Sequence, residues 1–437
     1  MSRHPGRYPG LLESGATAAA NAAGARYDIL PISSGEILEL AAGAQLRGPH
    51  AHPDRGFLAA LEDWWSALQT APGTAQLPFH GGWLVYLGYE LAAEIEPTLR
   101  LAPCADPWVA LAIRSPAAWI HDRNAGRSWL VCEPGAEGLL ERFEADVAAL
   151  ARDPPAAVPA AGCEMREEPA ERFTDSVRRA LEHIAAGDVY QANLSREWTG
   201  VLGAAVDPVA IYARLRATNP SPFAGLLRHG DFAVLSSSPE RLVTVRGERI
   251  ATRPIAGTRP RGRDAAEDHA LVSTLLGNEK ERAEHIMLID LERNDLGRIC
   301  VGGSVQVDEY MVIETYAHVH HIVSNVSGIR RPGVSPVGVI RALFPGGTIT
   351  GCPKVRCMQL IAELEPQGRG AYTGSLGYLN RDGSCDFNIL IRTITTAGRS
   401  LRLRAGAGIV ADSDPLQELG ETRAKAEGML RALRAAP

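Results

Sequence analysis

Three consecutive stretches near the C-terminus, Leu376-Gly-Tyr-Leu379, Asn380-Arg-Asp-Gly383 and Phe387-Asn-Ile-Leu-Ile-Arg-Thr-Ile394, decide the fold class. The first and third are apolar runs of strand character, and the second is rich in turn-forming residues, which predicts a β-hairpin. A further turn at Ala397-Gly-Arg-Ser400 leads into Leu401-Arg-Leu-Arg404, which adds another strand. The sequence therefore predicts an antiparallel meander in the last third of the chain.

Helices are predicted on both sides of this meander. Ala170 to Ala186 has the spacing of an amphipathic helix and leads into the alternating strand Val189-Tyr-Gln-Ala-Asn-Leu194, and another helix is predicted from Pro415. Short strand-like runs such as Trp83-Leu-Val-Tyr-Leu87 occur in the first third of the chain. Because strands and long helices follow one another without regular βαβ alternation, the pattern favours an α+β fold over a doubly wound sheet.

A change in composition divides the chain into predicted parts. The stretch from Arg152 to Ala170 is rich in Pro and Ala and has neither a helix nor a strand period, which indicates a linker or a long surface loop. We therefore expect an N-terminal region over residues 1–151, a linker over 152–170 and a C-terminal domain over 171–437. A chain of 437 residues is long enough for such a division.

Composition and charge argue against several functional classes. The net charge of −6 gives no electrostatic reason to expect a nucleic acid or an anionic membrane as partner. No apolar run approaches the roughly 18 residues of a membrane span, and the N-terminal MSRHPGRYPG lacks the apolar core of a signal peptide. The seven cysteines are scattered, odd in number and without a CxxC pair, which suits a reducing cytoplasm rather than a disulfide framework or a zinc site.

Two predicted helices each carry a pair of carboxylates three residues apart. Glu281 and Glu284 form the first pair, and Glu418 and Glu421 form the second. Residues three apart share a helix face, so the two faces could together hold a hard cation such as Mg²⁺, which prefers oxygen ligands and keeps several waters. By spacing alone, two solvated helix surfaces are the alternative interpretation.

A glycine-rich stretch, Ala405-Gly-Ala-Gly-Ile409, offers backbone N–H groups that large side chains do not obstruct. Such a loop can cradle a carboxylate or a phosphate, although glycines at a strand end are more often part of a turn. Arg392 is expected on the preceding strand, out of step with its apolar residues, and is suited to bidentate recognition of a carboxylate. A surface ion pair is its alternative role.

Three further candidates lie in the middle of the chain. Glu240 follows the apolar strand Phe232 to Leu235, and a partly desolvated carboxyl there would have a raised pKa and could act as a general acid, with a helix or turn cap as the alternative. Thr258 supplies a hydroxyl in a tight Pro/Gly loop that is otherwise an ordinary turn. In Tyr316-Ala-His-Val-His-His321, a substrate-facing histidine is favoured over a metal site.

Longer motifs resemble the chorismate-utilising enzymes across essentially the whole chain. In chain order they are SSSPERLV, RPIAGTRPRG, NEKERAEHIMLIDLERNDLGRI, HVHHIVSNVSG, FPGGTITGCPK, AYTGSLGYL, ILIRTI, RAGAGIVADSDP and ELGETRAKAE. The resemblance implies antiparallel sheets packed as a sandwich with helices on the outside. It also implies a chorismate-binding catalytic domain at the C-terminus and an N-terminal region of the anthranilate-synthase-component-I type.

The resemblance assigns roles to individual residues. Glu284 and Glu421 would bind Mg²⁺, and Glu281 and Glu418 would reach it directly or through water. Glu240 would protonate the leaving C4 hydroxyl of chorismate. Thr258, Tyr378, Arg392 and the backbone of Gly406, Ala407 and Gly408 would bind the substrate. His321 and Lys425 would be catalytic residues, with Lys425 beside the carboxylate end of the substrate. A substrate with two carboxylates needs cations and backbone donors at both ends, and a metal ion neutralises one of them.

The expected nucleophile depends on one position. Gln191, in VYQANLS, matches the lysine that activates water in isochorismate and salicylate synthases. A glutamine amide cannot act as a base, so the resemblance points to ammonia, which is already a nucleophile. The sequence contains no Gly-x-Cys-x-Gly nucleophile turn, so the ammonia would come from a separate glutamine amidotransferase subunit.

Several segments resemble the aminodeoxychorismate synthases, which aminate chorismate at C4 toward 4-aminobenzoate and folate. They are RYDIL at Arg26–Leu30, GGWLVYLGYELAAEIEP, DVYQANLS and FPGGTITGCPKVRCMQ. One position departs from the pattern of that branch. Many aminodeoxychorismate synthases carry a lysine there, whereas this chain has Ala256, and anthranilate synthases also have alanine. We therefore expect component I of an aminodeoxychorismate synthase, with anthranilate synthase component I, which releases pyruvate, as the alternative.

The stretch Leu11-Leu-Glu-Ser14 resembles an element that lines a tryptophan pocket in this family. It makes Leu12, Glu13 and Ser14 candidates for such a pocket, and a first strand of the N-terminal sheet is the other interpretation. A non-catalytic, tryptophan-binding regulatory subunit is the expectation from a different functional class. The presence of all four carboxylates, of the candidate acid and of the candidate arginine argues against it.

Overall fold

The computed structural model describes residues 1–15, 26–43, 45–71, 77–153, 162–203, 206–316 and 319–434. These residues form two antiparallel sheets with an apolar interior between them, and helices cover the outer sides. Tyr86 of one sheet meets Phe232 of the other, with ring centroids 5.8 Å apart. The predicted α+β sandwich with helices on the outside is confirmed.

The first sheet contains eleven of the described strands, in the order β18-β10-β22-β21-β12-β11-β1-β2-β7-β8 with β9 beside β10. These strands are β1 (Gly10–Glu13), β2 (Tyr27–Ile32), β7 (Ala117–Asp122), β8 (Arg127–Cys132), β9 (Met165–Glu167), β10 (Gln191–Val201), β11 (Phe223–His229), β12 (Phe232–Ser238), β18 (Gly351–Cys352), β21 (Thr393–Ala397) and β22 (Ser400–Ile409).

The second sheet also contains eleven of the described strands, in the order β15-β17-β14-β13-β20-β19-β5-β6-β3-β4 with β16 beside β17. These strands are β3 (Ile37–Ala41), β4 (Leu46–Arg47), β5 (Gly82–Leu87), β6 (Trp108–Ser115), β13 (Arg241–Arg246), β14 (Arg249–Arg253), β15 (Ile255–Pro260), β16 (Gln306–Thr315), β17 (Val319–Ile329), β19 (Ser375–Asn380) and β20 (Cys385–Asn388).

The helices lie between and outside these strands. They are α1 (Phe57–Leu68), α2 (Ala92–Ile95), α3 (Glu137–Arg152), α4 (Ala170–Ala185), α5 (Pro208–Thr218), α6 (Ala265–Gly277), α7 (Glu279–Gly297), α8 (Pro336–Leu343), α9 (Lys354–Leu364) and α10 (Pro415–Leu433). The amphipathic helix predicted from Ala170 is therefore present as α4, and the helix predicted from Pro415 is α10. Within the described ranges, none of these helices combines the length and the apolar character that crossing a membrane requires.

Strands from the predicted N-terminal region and from the predicted C-terminal domain are interleaved. β1 pairs with β11 in the first sheet, and β5 pairs with β19 in the second. The regions 1–151 and 171–437 therefore share both sheets. The predicted linker over 152–170 needs a correction, because Met165–Glu167 is the strand β9 and pairs with β10. A strand of three residues is too short to show a period in the sequence, and residues 154–161 lie outside the described residues.

The chain crosses from one sheet to the other beside the candidate site. The predicted hairpin is present as β19 and β20, but the expected strand Phe387–Ile394 is two strands in different sheets. β20 ends in the second sheet at Asn388 and β21 begins in the first sheet at Thr393. Arg392 lies in the crossing with a φ of 53°, which ends the extended geometry. The expectation that this arginine lies within a strand is therefore wrong.

Candidate active site

Two glycines of β22 form one wall of the candidate site. The expected glycine loop is in fact a strand, because Ala405–Ile409 pairs with β10. Opposite Gly406 and Gly408, the backbone N–H groups of Ser195 and Asn193 donate away from β22, at 2.8 and 2.9 Å. Opposed residues of an antiparallel pair either exchange hydrogen bonds or both point outward. Gly406 and Gly408 therefore direct their own backbone groups away from β10, which leaves their N–H groups available to a ligand.

The same glycines allow two side chains to approach β22 closely. A Cβ atom at Gly408 would lie 2.3 Å from Nε2 of Gln191, and one at Gly406 would lie 2.5 Å from the hydroxyl of Tyr372. A larger residue at either position would collide with these groups. Ala407 differs from its neighbours, since its side chain is buried on the opposite, apolar face of the strand. The substrate contact expected of its backbone stays a prediction.

Glu240 is buried just beyond the end of β12. Its Oε1 accepts a hydrogen bond from the hydroxyl of Thr348 at 2.7 Å. Burial raises the pKa of Glu240 to about 7, against the lowering effects of the Thr348 hydrogen bond and of the positive charges of Lys425 and Arg392. A carboxyl of this kind holds a proton near neutral pH and can donate it to a leaving group.

His321 of β17 lies opposite Thr258 of β15. Nδ1 of His321 is 2.9 Å from Oγ1 of Thr258, so the two predicted residues are brought together. Burial lowers the pKa of His321 to about 4, which keeps the imidazole neutral at pH 7. His320 is engaged elsewhere, with Nε2 2.8 Å from Asp268. His318, the third histidine of this stretch, lies outside the described residues.

Helix α7 presents the first carboxylate pair near its N-terminus. Oε1 of Glu284 accepts a hydrogen bond from Nε2 of Gln191 at 3.1 Å. Glu281 forms an ion pair with Arg259, with Nη2 of the arginine 2.7 Å from Oε1. The two carboxylates of the predicted face are therefore tied to the two sides of the candidate site, one to β10 and the other to β15.

Helix α10 presents the second carboxylate pair in its first two turns. Oε1 of Glu418 accepts a hydrogen bond from the hydroxyl of Ser413 at 2.6 Å. Glu421 forms an ion pair with Lys425, whose Nζ also donates to the backbone oxygen of Gly406 at 3.0 Å. Lys425 thus connects the second pair to the glycine wall of β22.

The carboxylates fit Mg²⁺ by their chemistry, although no compact centre is formed. Among the residues that the structure describes, no three His, Cys, Asp or Glu side chains lie together closely enough to hold a metal. Mg²⁺ is often held by one or two carboxylates, while waters and a substrate complete its coordination. Oε2 of Glu281 is buried and accepts no hydrogen bond from a described residue, so it remains available as a ligand.

Arg392, in the crossing between the two sheets, lies close to Glu240, Glu421 and Tyr372. Burial lowers the pKa of its guanidinium, and the nearby Tyr372, Glu421 and Glu240 oppose that effect. Because these three groups act on the arginine electrostatically, the candidate acid, the second carboxylate pair and the glycine wall share one environment. An arginine there is suited to an anionic ligand.

The comparisons with known proteins agree with this geometry. A family model described as chorismate binding enzyme matches residues 21–431. The chain belongs to the chorismate-binding enzyme family. A 42% identical relative, aminodeoxychorismate synthase component 1 of Bacillus subtilis, aligns over 86% of this chain and 82% of its own length. Anthranilate synthase component 1 of Streptomyces coelicolor is also 42% identical, over 85% of this chain and 76% of that protein.

The crystal structure of anthranilate synthase component I from Streptococcus pneumoniae TIGR4 has the same fold. It matches this chorismate-binding enzyme with a TM-score of 0.83 at 30% identity, over 95% of this chain and 94% of that one. The two relatives above carry different names at equal identity. Overall similarity therefore establishes the family, and the particular activity depends on individual residues.

Tyr378 lies elsewhere in this chorismate-binding enzyme than expected. Its ring packs edge-on against Phe79, with centroids 5.7 Å apart, in an apolar cluster that also contains Leu12. The tyrosine at the glycine wall is instead Tyr372, and we reassign the predicted carboxylate contact to it. Both tyrosines occur in AYTGSLGYL, so the motif alone did not distinguish which of them lies at the glycine wall.

The candidate tryptophan residues lie in and beside β1. Leu12 packs into the apolar cluster of Tyr378, and Ser14 donates its hydroxyl to the backbone oxygen of Tyr27 at 3.0 Å. Glu13 is buried and pairs with Arg216 at 3.0 Å. These contacts realise the alternative interpretation, a first strand of the sheet, while the tryptophan pocket stays a prediction.

Two groups near Glu240 escaped the sequence analysis. Thr348 belongs to the quoted FPGGTITGCPK, but nothing in the motif indicates that its hydroxyl reaches a carboxylate. Glu292 on α7 is buried, and burial together with the charge of Asp295 raises its pKa to about 8. Its signal was the helical spacing of Glu281, Glu284 and Glu292, which places the third residue on the same side of α7.

Proposed function

We propose that this enzyme is component I of an aminodeoxychorismate synthase that acts in the cytoplasm. It would convert chorismate and ammonia to 4-amino-4-deoxychorismate and water, as a step toward 4-aminobenzoate and folate. The observation that carries amination is Gln191, which lies against Gly408 and Glu284. By sequence resemblance, Gln191 matches the lysine base of isochorismate synthases. With an amide in place of a base, the site is suited to a nucleophile that needs no activation.

The departing hydroxyl would take its proton from Glu240. With a pKa of about 7, this carboxyl is protonated in a large fraction of molecules at neutral pH. After donation, the hydroxyl of Thr348 and the positive charges of Lys425 and Arg392 stabilise the carboxylate that remains. The leaving group departs as water, and ammonia forms the new bond at C4.

The substrate carboxylates would be bound by groups at the glycine wall. The outward N–H groups of Gly406 and Gly408 and the guanidinium of Arg392 supply donors for them, and Tyr372 limits the space above β22. Glu281, Glu284, Glu418 and Glu421 would hold Mg²⁺, directly or through water. When bound, this ion would neutralise a substrate carboxylate.

The branch assignment rests on the segments that resemble aminodeoxychorismate synthases. Ala256 favours the competing activity, anthranilate synthase component I. Its side chain is buried against Leu288 and Leu291 of α7, so it leaves no nucleophile at this position of β15. Covalent attack on the ring from residue 256 is therefore excluded, and direct or otherwise assisted amination would have to apply. We give the separate resembling segments more weight than this one position.

Product analysis tests the proposal. Purified enzyme is incubated with chorismate, Mg²⁺ and an ammonium salt, and pyruvate is followed with lactate dehydrogenase while the product is identified by mass spectrometry. The proposal requires a non-aromatic amine that retains its enolpyruvyl group, with pyruvate released only after a separate lyase is added. Prompt pyruvate release with rising anthranilate fluorescence would establish the competing activity instead.

A further inference from the structure

The ion pair between Arg259 and Glu281 joins the substrate side of the site to its metal side. Arg259 is on β15, directly after Thr258, and Glu281 is in the first turn of α7. Their atoms Nη2 and Oε1 are 2.7 Å apart, and the side chains are only 25% and 18% exposed. Nη1 of the arginine also donates to the backbone oxygen of Thr258 at 2.9 Å. One guanidinium therefore ties the Thr258 strand to a candidate metal ligand.

The two oxygens of Glu281 have different surroundings. Oε1 is the atom that pairs with Arg259, whereas Oε2 is buried without a described hydrogen-bond partner. A Cβ atom at Gly257, where φ is +66°, would lie 2.4 Å from Oε2. Glycine at this position thus leaves room beside the unpaired oxygen. The proposed metal site requires the carboxylate of Glu281, and Arg259 already supplies this carboxylate with a positive charge.

We propose that Arg259 and Mg²⁺ are alternative cations for Glu281, and that Arg259 is a positioning residue for the substrate. This inference rests on the proposed metal site. A guanidinium and a divalent cation on one carboxylate would lie within a few ångströms of each other and repel strongly in a partly buried environment. Metal binding therefore releases Arg259 from α7. The released guanidinium takes a carboxylate of the substrate as its new partner, beside Thr258 and His321.

Two consequences follow for binding. The ion pair weakens the metal, because Mg²⁺ must displace Arg259 from Glu281. The binding of Mg²⁺ and the binding of chorismate are also coupled. Mg²⁺ frees Arg259 to bind chorismate, and chorismate, by binding Arg259, frees Glu281 to bind Mg²⁺. Such a coupling is reciprocal: the factor by which Mg²⁺ improves chorismate affinity equals the factor by which chorismate improves Mg²⁺ affinity.

Isothermal titration calorimetry of the full chain, in buffer free of ammonium, tests this without turnover. Mg²⁺ is titrated alone, and chorismate is titrated with and without Mg²⁺. For Arg259→Gln we expect Mg²⁺ to bind about fivefold more tightly, and the improvement of chorismate affinity by Mg²⁺ to fall by about the same factor. Arg259→Lys keeps the charge and is expected to behave as the unchanged protein. Unchanged or weaker Mg²⁺ binding by Arg259→Gln would overturn the inference.

A matched control removes an equal charge from the same part of the chain. Arg263 pairs with Glu267 at 2.9 Å, but these side chains are 91% and 37% exposed. Arg263→Gln should leave both affinities and their coupling unchanged. An effect as large as that of Arg259→Gln would show that the loss of any positive charge nearby is sufficient, and it would overturn the inference. If the unchanged protein binds no Mg²⁺, the metal site itself fails. A wrong branch assignment would leave these measurements unaffected, because no amination occurs in them.

Discussion

Nε2 of Gln191 donates a hydrogen bond to Oε1 of Glu284 across 3.1 Å. The first residue of β10 is thereby joined to a candidate metal ligand on α7. An amide at this position is held in one orientation by a carboxylate, and it cannot remove a proton from water. The same contact would place the side-chain nitrogen of a lysine beside Glu284.

Replacing Gln191 with lysine should therefore introduce water addition. The unchanged protein should form no appreciable isochorismate, whereas Gln191→Lys should form it at a measurable rate, because a desolvated lysine can act as a base. Chromatographic separation of isochorismate from chorismate is the measurement. Gln417→Lys, on the exposed surface of α10, is the matched control. Isochorismate as the main product of the unchanged protein would contradict the assignment.

Metal dependence should follow from the carboxylate pairs. We expect EDTA to abolish turnover and Glu284→Ala or Glu421→Ala to lower the initial rate about 100-fold or more. Circular dichroism should show an unchanged fold. Glu427→Ala is the control, because this residue of α10 pairs only with the exposed Arg431 and Arg434 among described residues. Full activity of either site variant in metal-free buffer would refute the metal site.

The pH dependence should report Glu240. A general acid acts in its protonated form, so kcat/KM, calculated for free ammonia, should fall as the pH rises through about 7. The hydroxyl of Thr348 donates to the ionised carboxylate and lowers its pKa, so Thr348→Val should move this fall to higher pH. Glu240→Gln should lose about 100-fold or more in rate. Thr274→Val on the exposed surface of α6 should leave the profile unchanged.

Nitrogen supply gives a further test. The isolated chain should use ammonium salts but not glutamine, because its sequence contains no cysteine nucleophile turn. Adding the cognate glutaminase should confer turnover with glutamine. Amination is measured with each nitrogen source at equal chorismate and Mg²⁺. Glutamine-driven turnover by the purified chain alone would show that a second subunit is not required.

Helix faces and local burial were accessible from the sequence because they depend on neighbouring residues. The spacing of Glu281 and Glu284 predicted their common face, and the apolar strand before Glu240 predicted its burial. Both results come from short-range pattern, which a single sequence expresses directly. The outline of the candidate site was therefore available before the structure.

Features that depend on which sheet a strand joins were not accessible. Ile389 and Leu390 are both buried, so the apolar run into β21 looks continuous although the chain changes sheets at Arg392. Gly406 and Gly408 were expected in a loop, because glycine is uncommon inside strands. Glycine is needed at these two positions because Tyr372 and Gln191, which belong to distant parts of the chain, approach β22 closely there. Long-range contacts of this kind leave no local period.

The pairing of β1 with β11 and of β5 with β19 limits how the gene for this enzyme could be divided. A fragment beginning at residue 171 would carry freshly exposed edges on β10, β11 and β19 and only part of the apolar interior, which favours aggregation. The two halves would have to be produced together, so that each supplies the missing neighbours of the other's strands. Reconstitution of activity from co-expressed halves, rather than from either half alone, is therefore the behaviour that this interleaving imposes on any split version of the enzyme.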